Sequence, residues 1–253
     1  VDFSQFDLAY LLPFIAVGFA AQLVDGALGM AFGVISNTLL VAVLGVPPAL
    51  ASQRVNAVQC FTSAIGGLSH LLHGNIDRRL FFRLLVPALL GGIIGVNLIT
   101  MIDGSKFRPL VLTYLLGIAL YILWKGLRHV HVHREPRIVA PLGAIGGFLS
   151  AIGGGWGPVV TSNLLIQGAE PRKVVGTVNT VEFFLTLTIS AGFIWRLGLA
   201  NLAGATLGLL IGGILAAPAG AWAAKHFNPR TMLVLVGIVL TLASSYGIWR
   251  ALG

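Results

Sequence analysis

Long apolar runs separated by short polar breaks fill the chain. They fall at Leu8–Val24, Gly29–Leu44, Ala49–Leu72, Leu80–Ile102 and Phe107–Leu127. A second series follows at Ile138–Ile152, Pro158–Gly168, Lys173–Trp195, Leu199–Ala224 and Arg230–Trp249. The breaks carry turn residues, among them Asp25-Gly26, Gly45 to Pro48, Gly74-Asn75, Asp103-Gly104, Glu170-Pro171 and Asn228-Pro229. Apolar runs of this length predict helices, and the longer ones match a hydrocarbon core of about 30 Å. The stretch Gly147–Leu165 breaks the pattern, because Gly153-Gly154-Gly155-Trp156-Gly157 interrupts it. Adjacent glycines stop a helix through their backbone entropy, and Pro158 suits the first position of the next one. The arm that follows has about twelve residues, roughly 18 Å at 1.5 Å per residue, too short to cross a bilayer alone. Helix, glycine turn, helix is predicted there, a broken hairpin of the kind that builds transport sites.

The two series match each other in order. Gly18-Phe19 answers Gly147-Phe148, Ser36-Asn37 answers Ser162-Asn163, and Val55-Asn56 answers Val178-Asn179. Gly91-Gly92-Ile93 answers Gly212-Gly213-Ile214, and Phe107 with Pro109 answers Phe227 with Pro229. The offset drifts from 129 (Gly18 to Gly147) to 120 (Phe107 to Phe227), so insertions fall in the loops. The chain therefore divides into a first transmembrane repeat at 1–128, a linker at 129–137 and a second repeat at 138–253. Each repeat holds about five helical segments and opens with a glycine-broken hairpin, either re-entrant or fully spanning.

Only 9% of the residues are charged and 57% are hydrophobic, against about 25% charged in soluble domains, so an all-α polytopic membrane protein is expected. The formal charge of +8 does not point to nucleic acid, because Lys and Arg sit singly or in pairs between apolar runs. Their distribution sets orientation instead. With an odd number of segments per half the halves are inverted. One face then collects Arg78, Arg79, Lys125, Arg128, Arg134, Arg137, Arg172, Lys173, Lys225 and Arg230. The other collects Lys106, Arg108, Arg196 and Arg250, with Arg54 near it. Parallel halves would divide these residues almost evenly. The positive-inside rule favours inversion, a linker in the cytoplasm and both termini outside. Cys60 is the one cysteine, so no disulfide framework exists. Val1 to Asp7 carries no basic residue, so no cleavable leader is expected.

The sequences GFAAQLVDGALGMAFGVISNTLL (from Gly18) and GFLSAIGGGWGPVVTSNLL (from Gly147) each resemble the glycine-rich repeat signature of the TauE/SafE sulfite-exporter family. Each is followed by that family's loop-and-helix pattern, PPALASQRVNAVQCFTSAIGG and EPRKVVGTVNTVEFFLTLTISAG. The similarity covers essentially the whole chain. It implies a multipass carrier, usually an exporter, of small sulfur-containing anions such as sulfite, sulfonates and sulfoacetate, in the inner membrane of a bacterium. The first copy departs from the pattern, with Asp25-Gly26-Ala27-Leu28-Gly29-Met30 where a glycine triplet is usual.

A compact oxyanion needs converging N–H and O–H donors, which helix N-termini and glycine turns supply. The expected cradle is the amides around Gly29, Met30 and Ala31 and around Gly154, Gly155 and Trp156. Trp156 would close over the cargo or anchor the tip at a membrane interface. Asn37 and Asn163 stand at equivalent places in the second arms, with Thr161, Ser36 and Ser162 beside them. In the third segments Asn56, Gln59 and Ser63 share a helical face, repeated by Asn179, Glu182 and Thr186. These polar groups either line a wet cavity or tie helices together. Arg54 is a candidate for bidentate anion binding, or a snorkelling residue at the outer edge. Glu182, deep in an apolar segment, is a candidate proton carrier, and Asp25 is either part of a proton route or a helix cap.

His129, His131 and His133 alternate in the linker without a supporting ligand framework, and a solvated loop explains them better than a metal site. No cofactor is expected. HExxH and GxSxG are both absent, which sets an intramembrane enzyme well behind a carrier. An anion channel is the alternative within transport. The expected partners are the lipid bilayer, a small anion and coupling protons; assembly into a homo-oligomer is left open.

Overall fold

A computed structural model of the chain describes residues 7–28, 30–102, 104–127, 138–167, 171–200, 202–226 and 228–252. The described residues form helices and turns, with no strand. In the first half α1 (Leu8–Leu28) leads to a short arm, α2 (Phe32–Thr38), which continues as a π-helical turn over Leu39–Val43. Then come α3 (Pro48–Leu72), α4 (Arg78–Met101) and α5 (Gly104–Leu127). In the second half α6 (Ala140–Gly153) leads to a π-helical turn at Gly157–Thr161 that runs into α7 (Ser162–Ile166). α8 (Pro171–Leu197), α9 (Ala203–His226) and α10 (Pro229–Leu252) complete the chain.

Six of these helices are long and apolar enough to cross a membrane among the described residues: α1, α4, α5, α8, α9 and α10. The chain is a multipass membrane protein. α3 reaches 25 residues without matching their apolarity, because Gln53, Arg54, Asn56 and Gln59 lie along it, all buried inside the protein. The arm Phe32–Val43 and the helix Ala140–Gly153 are apolar but shorter than a span. The length argument made for the arm after Pro158 applies to these two segments as well.

Corresponding helices pair across the halves. α1 packs on α9, and α4 packs on α6, so each first helix meets the fourth helix of the other half. α3 packs on its own counterpart α8, and α5 on its counterpart α10. The last two pairs run antiparallel. Gln53 near the start of α3 bonds Gly198 beyond the end of α8, whereas Gly67 near the end of α3 lies against Thr180. Likewise Gly126 of α5 meets Val234 of α10, and Gly247 of α10 meets Leu112 of α5.

Small residues make these crossings close, as association within lipid requires. A methyl group on Gly91 would fall 2.9 Å from Phe148 N, and one on Gly212 would fall 2.7 Å from Phe19 N. These glycines, deep in apolar runs, are packing residues. The four helix pairs form a shell around the two short arms, and the residues of α2 are buried throughout.

The hairpin tips meet inside that shell. A Cβ on Gly33 would come 2.8 Å from Gly154 Cα, and one on Gly157 would come 2.6 Å from Met30 O. Gly153, Gly154, Gly155 and Trp156 are buried. Backbone lies on backbone at this point, which only glycine permits. His129, His131, His133, Arg128, Arg134, Arg137 and the linker 129–137 lie outside the described residues.

Candidate functional site

A cavity of about 150 Å³ opens where the tips meet α3 and α8. α1 contributes Gln22 and Asp25, and the first tip contributes Met30, Ala31, Phe32 and Gly33. α3 supplies Gln59, Thr62, Ser63 and Gly66. The second tip supplies Gly154, Gly157 and Thr161, and α8 supplies Asn179 and Glu182. The lining holds two carboxyls, three amide side chains and several hydroxyls. No Lys, Arg or His lies among these residues.

Both carboxyls are held by donors. Glu182 Oε1 accepts a hydrogen bond from Gln59 Nε2 at 3.0 Å, joining the symmetry-related positions of α8 and α3. Gln59 Oε1 is buried with no protein partner. Asp25 Oδ1 accepts the N–H of Ala31 at 2.7 Å and of Phe32 at 3.1 Å. A carboxylate at the open N-terminus of a helix satisfies unpaired amides and meets the positive end of the dipole. Asp25 is thus the cap of α2 and a cavity residue at once. The acid that departs from the glycine pattern sits in the place predicted for the cargo's charge.

The second tip uses its amides differently. Gly154 has φ 80°, the left-handed conformation that ends a helix, and closes α6. Its N–H donates to Ser150 O at 3.1 Å, and the Gly155 N–H donates to Leu149 O at 3.3 Å. These two amides therefore cap α6 rather than point at a ligand. Gly154 still forms part of the cavity wall, while Gly155 packs against Tyr114 and Leu149. Trp156 is 1% exposed and lies beside Gly146 and α6, so it is neither a lid over the cavity nor an interface anchor.

The remaining candidates divide by location. Met30, Gln59, Gly154, Asn179, Glu182 and Asp25 come together around the cavity. Asn37 does not reach it, since its Nδ2 donates to Gly33 O at 2.9 Å within its own arm. Asn163 repeats that bond to Val159 O at 2.6 Å and reaches the Tyr121 hydroxyl at 3.4 Å. Both asparagines satisfy carbonyls of the broken arms. Asn56 donates to Ser52 O at 2.9 Å within α3 and ties α3 to α6 by donating to Ser150 O at 3.3 Å. Ser52 Oγ donates to Ala151 O at 2.5 Å beside it, so two carbonyls in the last turn of α6 are bonded to α3. Arg54 is buried over the Phe14 ring, 5.5 Å from its centroid, and does not line the cavity. Ser162 Oγ donates to Met30 Sδ at 3.1 Å and links the hairpins. Gly29 lies outside the described residues.

The TauE/SafE sulfite exporter family matches residues 14–247, a region that contains both hairpins and the helices around the cavity. The chain belongs to this family. Among its relatives, the "Probable membrane transporter protein YtnM" of Bacillus subtilis (strain 168) is 39% identical over 247 residues, covering 93% of this chain and 81% of that protein. A "Probable membrane transporter protein" of Haemophilus influenzae is 24% identical over 243 residues, covering 91% of this chain and 92% of that protein. No solved structure matches.

In this TauE/SafE chain the cavity face of α3 is Gln59, Thr62, Ser63 and Gly66, the positions i, i+3, i+4 and i+7. The expected stripe began one turn earlier, at Asn56. Starting the same spacing from Gln59 finds Thr62 and Gly66. Gln22, one turn before Asp25 on α1, follows from the same rule. On α8, Asn179 and Glu182 stay on the cavity, whereas Thr186 turns its hydroxyl to the Glu182 carbonyl at 2.8 Å.

Proposed function

We propose that the chain is a secondary carrier, and in the cell an exporter, of small sulfur-containing anions such as sulfite, sulfonates or sulfoacetate. Transport is coupled to protons and proceeds by alternating access. The observation that carries this reading is the lining of one small cavity between the two tips by Asp25 and Glu182 together with Gln22, Gln59 and Asn179. Amides and hydroxyls recognise the acceptor oxygens of an oxyanion. Carboxylates repel it: two unit charges about 4 Å apart repel by about 4 kcal/mol at an effective dielectric constant of roughly 20. An anion therefore enters beside these groups together with a proton. Glu182 is the proton's position, because it faces the cavity and is held by a neutral amide that can exchange partners.

Alternating access follows from two inverted repeats around this point. The antiparallel pairing of α3 with α8 and of α5 with α10 supports inversion. With inverted halves, the positive-inside rule favours the Arg78–Arg79 and Arg172–Lys173 ends in the cytoplasm and both termini outside. At their closest point the tips meet backbone to backbone at Gly33 and Gly154. The side-chain bond that links them, Ser162 Oγ to Met30 Sδ, is weak, so one hairpin can slide against the other. With one proton per monovalent anion, loading adds no net charge to the cavity, and net flux follows the cargo and proton gradients together.

Purified protein in vesicles tests this. Saturable uptake of sulfite or sulfoacetate that grows with an inward proton gradient, and collapses on adding a protonophore, is the expected result. Unsaturable flux indifferent to the proton gradient would replace the carrier by a channel.

A further inference from the structure

A second groove lies at one end of the helical shell, away from the cavity. The connection from α3 to α4 folds against the start of α8 there: Lys173 Nζ donates to Gly74 O at 2.8 Å, and the Asp77 N–H donates to Thr177 Oγ1 at 2.9 Å. A groove of about 480 Å³ opens between Leu71, Ile76, Arg78, Phe81, Phe82 and Thr180. Its walls are aromatic and aliphatic, and its polar edge is Arg78.

The surroundings are strongly basic. Arg78, Arg79 and Arg83 on α4 and Arg172 on α8 are exposed. None of the four guanidiniums has a carboxylate partner among the described residues. Asp77, the acid beside them, is engaged in capping α4, accepting the N–H of Arg79 at 2.8 Å and of Leu80 at 3.1 Å. Along the same outer face of α4, the arginines give way to Phe82 (65% exposed), Val86 and Leu90, apolar side chains that face lipid tails. A collar of arginines above an apolar stripe marks headgroup depth.

We propose that this groove binds an anionic phospholipid, with its phosphate at Arg78 and the neighbouring arginines and its upper acyl chain along Phe81, Phe82 and Leu71. Guanidinium forks pair well with phosphate oxygens. A basic pocket between helices on the cytoplasmic side is a recurring lipid headgroup site. The apolar groove continuing below the collar selects a lipid over a free phosphate, which would leave those walls unfilled.

Native mass spectrometry of the purified full chain tests the site, with phosphatidylglycerol, phosphatidylcholine and glycerol 3-phosphate as probes. The chain is expected to retain phosphatidylglycerol in preference to phosphatidylcholine and to lose glycerol 3-phosphate. Combined Arg78→Gln, Arg79→Gln and Arg83→Gln should weaken that preference by about fivefold for each arginine. These side chains are exposed, so melting in phosphatidylcholine should be unchanged. Should it change, Leu71→Trp fills the groove from an exposed position with the arginines intact, and lower retention of phosphatidylglycerol is then the supporting result. Equal retention of the two lipids by the native chain, a preference untouched by the substitutions, or glycerol 3-phosphate held as firmly as the lipid would each overturn the proposal.

Discussion

Replacing Glu182 by glutamine should leave a chain that folds and binds its anion but no longer answers to pH. The substitution keeps the side chain's shape and its contact with Gln59 and removes the carboxyl to which the coupled proton is assigned. Asp25, the other carboxyl of the cavity, stays bonded to the Ala31 and Phe32 amides. On the proposed coupling, cargo and proton bind together in the native chain, so affinity should be full when the site is protonated and fall as pH rises. With one proton taken up per anion, the fall reaches about tenfold per pH unit once the free site is deprotonated. For Glu182→Gln the binding curve should be flat in pH, and accumulation driven by a proton gradient should disappear. Binding by calorimetry at several pH values, with flux in vesicles, separates the two effects. A Glu182→Gln chain that still accumulates anion against its gradient would remove Glu182 from the coupling.

The second large effect is expected at the contact between the tips. Gly154 has φ 80°, and a Cβ there would fall 2.5 Å from Gly33 Cα. A left-handed conformation costs a non-glycine residue roughly 1–2 kcal/mol, and overpacking of a close contact typically adds about 1–3 kcal/mol. Gly154→Ala should therefore separate the hairpins, lower the melting temperature and abolish transport. Gly74→Ala is the control: φ is 66° there, yet nothing lies within 4 Å of the added methyl group, so only the conformational part applies and transport should persist. If the two variants behave alike in melting and flux, the tip contact is not what holds the site.

Much of this arrangement is legible in the chain itself. The ten apolar runs anticipate the observed segments to within a few residues, because run length and glycine or proline punctuation are local signals. The second hairpin could be placed from Gly153-Gly154-Gly155 and Pro158 alone. The doubled glycines proved to be helix crossings for a reason that composition also carries, since close approach in lipid requires small residues. Partner choice was not legible. Asn56 and Asn179 are equivalent in sequence, yet Asn56 faces the carbonyls of α6 and Asn179 faces the cavity. The difference depends on how α3 and α8 are rotated, which the neighbouring helices decide. Nor did the pattern show which amides were free. A carboxylate six residues ahead of Ala31 bonds the amides of Ala31 and Phe32 in one tip, and an α6 cap takes those of Gly154 and Gly155 in the other. The proposed basis of recognition moves accordingly, from bare backbone dipoles to the cavity side chains of Gln59, Asn179 and Glu182.

That relocation can be tested in one measurement, an experimental density map of the protein in a lipid nanodisc with saturating sulfite or sulfoacetate. The cargo should appear between the two tips, touching Gln59, Asn179 and Glu182, with Arg54 remote from it. Density for the anion on Arg54, or anywhere outside the space enclosed by the two hairpins, α3 and α8, would contradict the account.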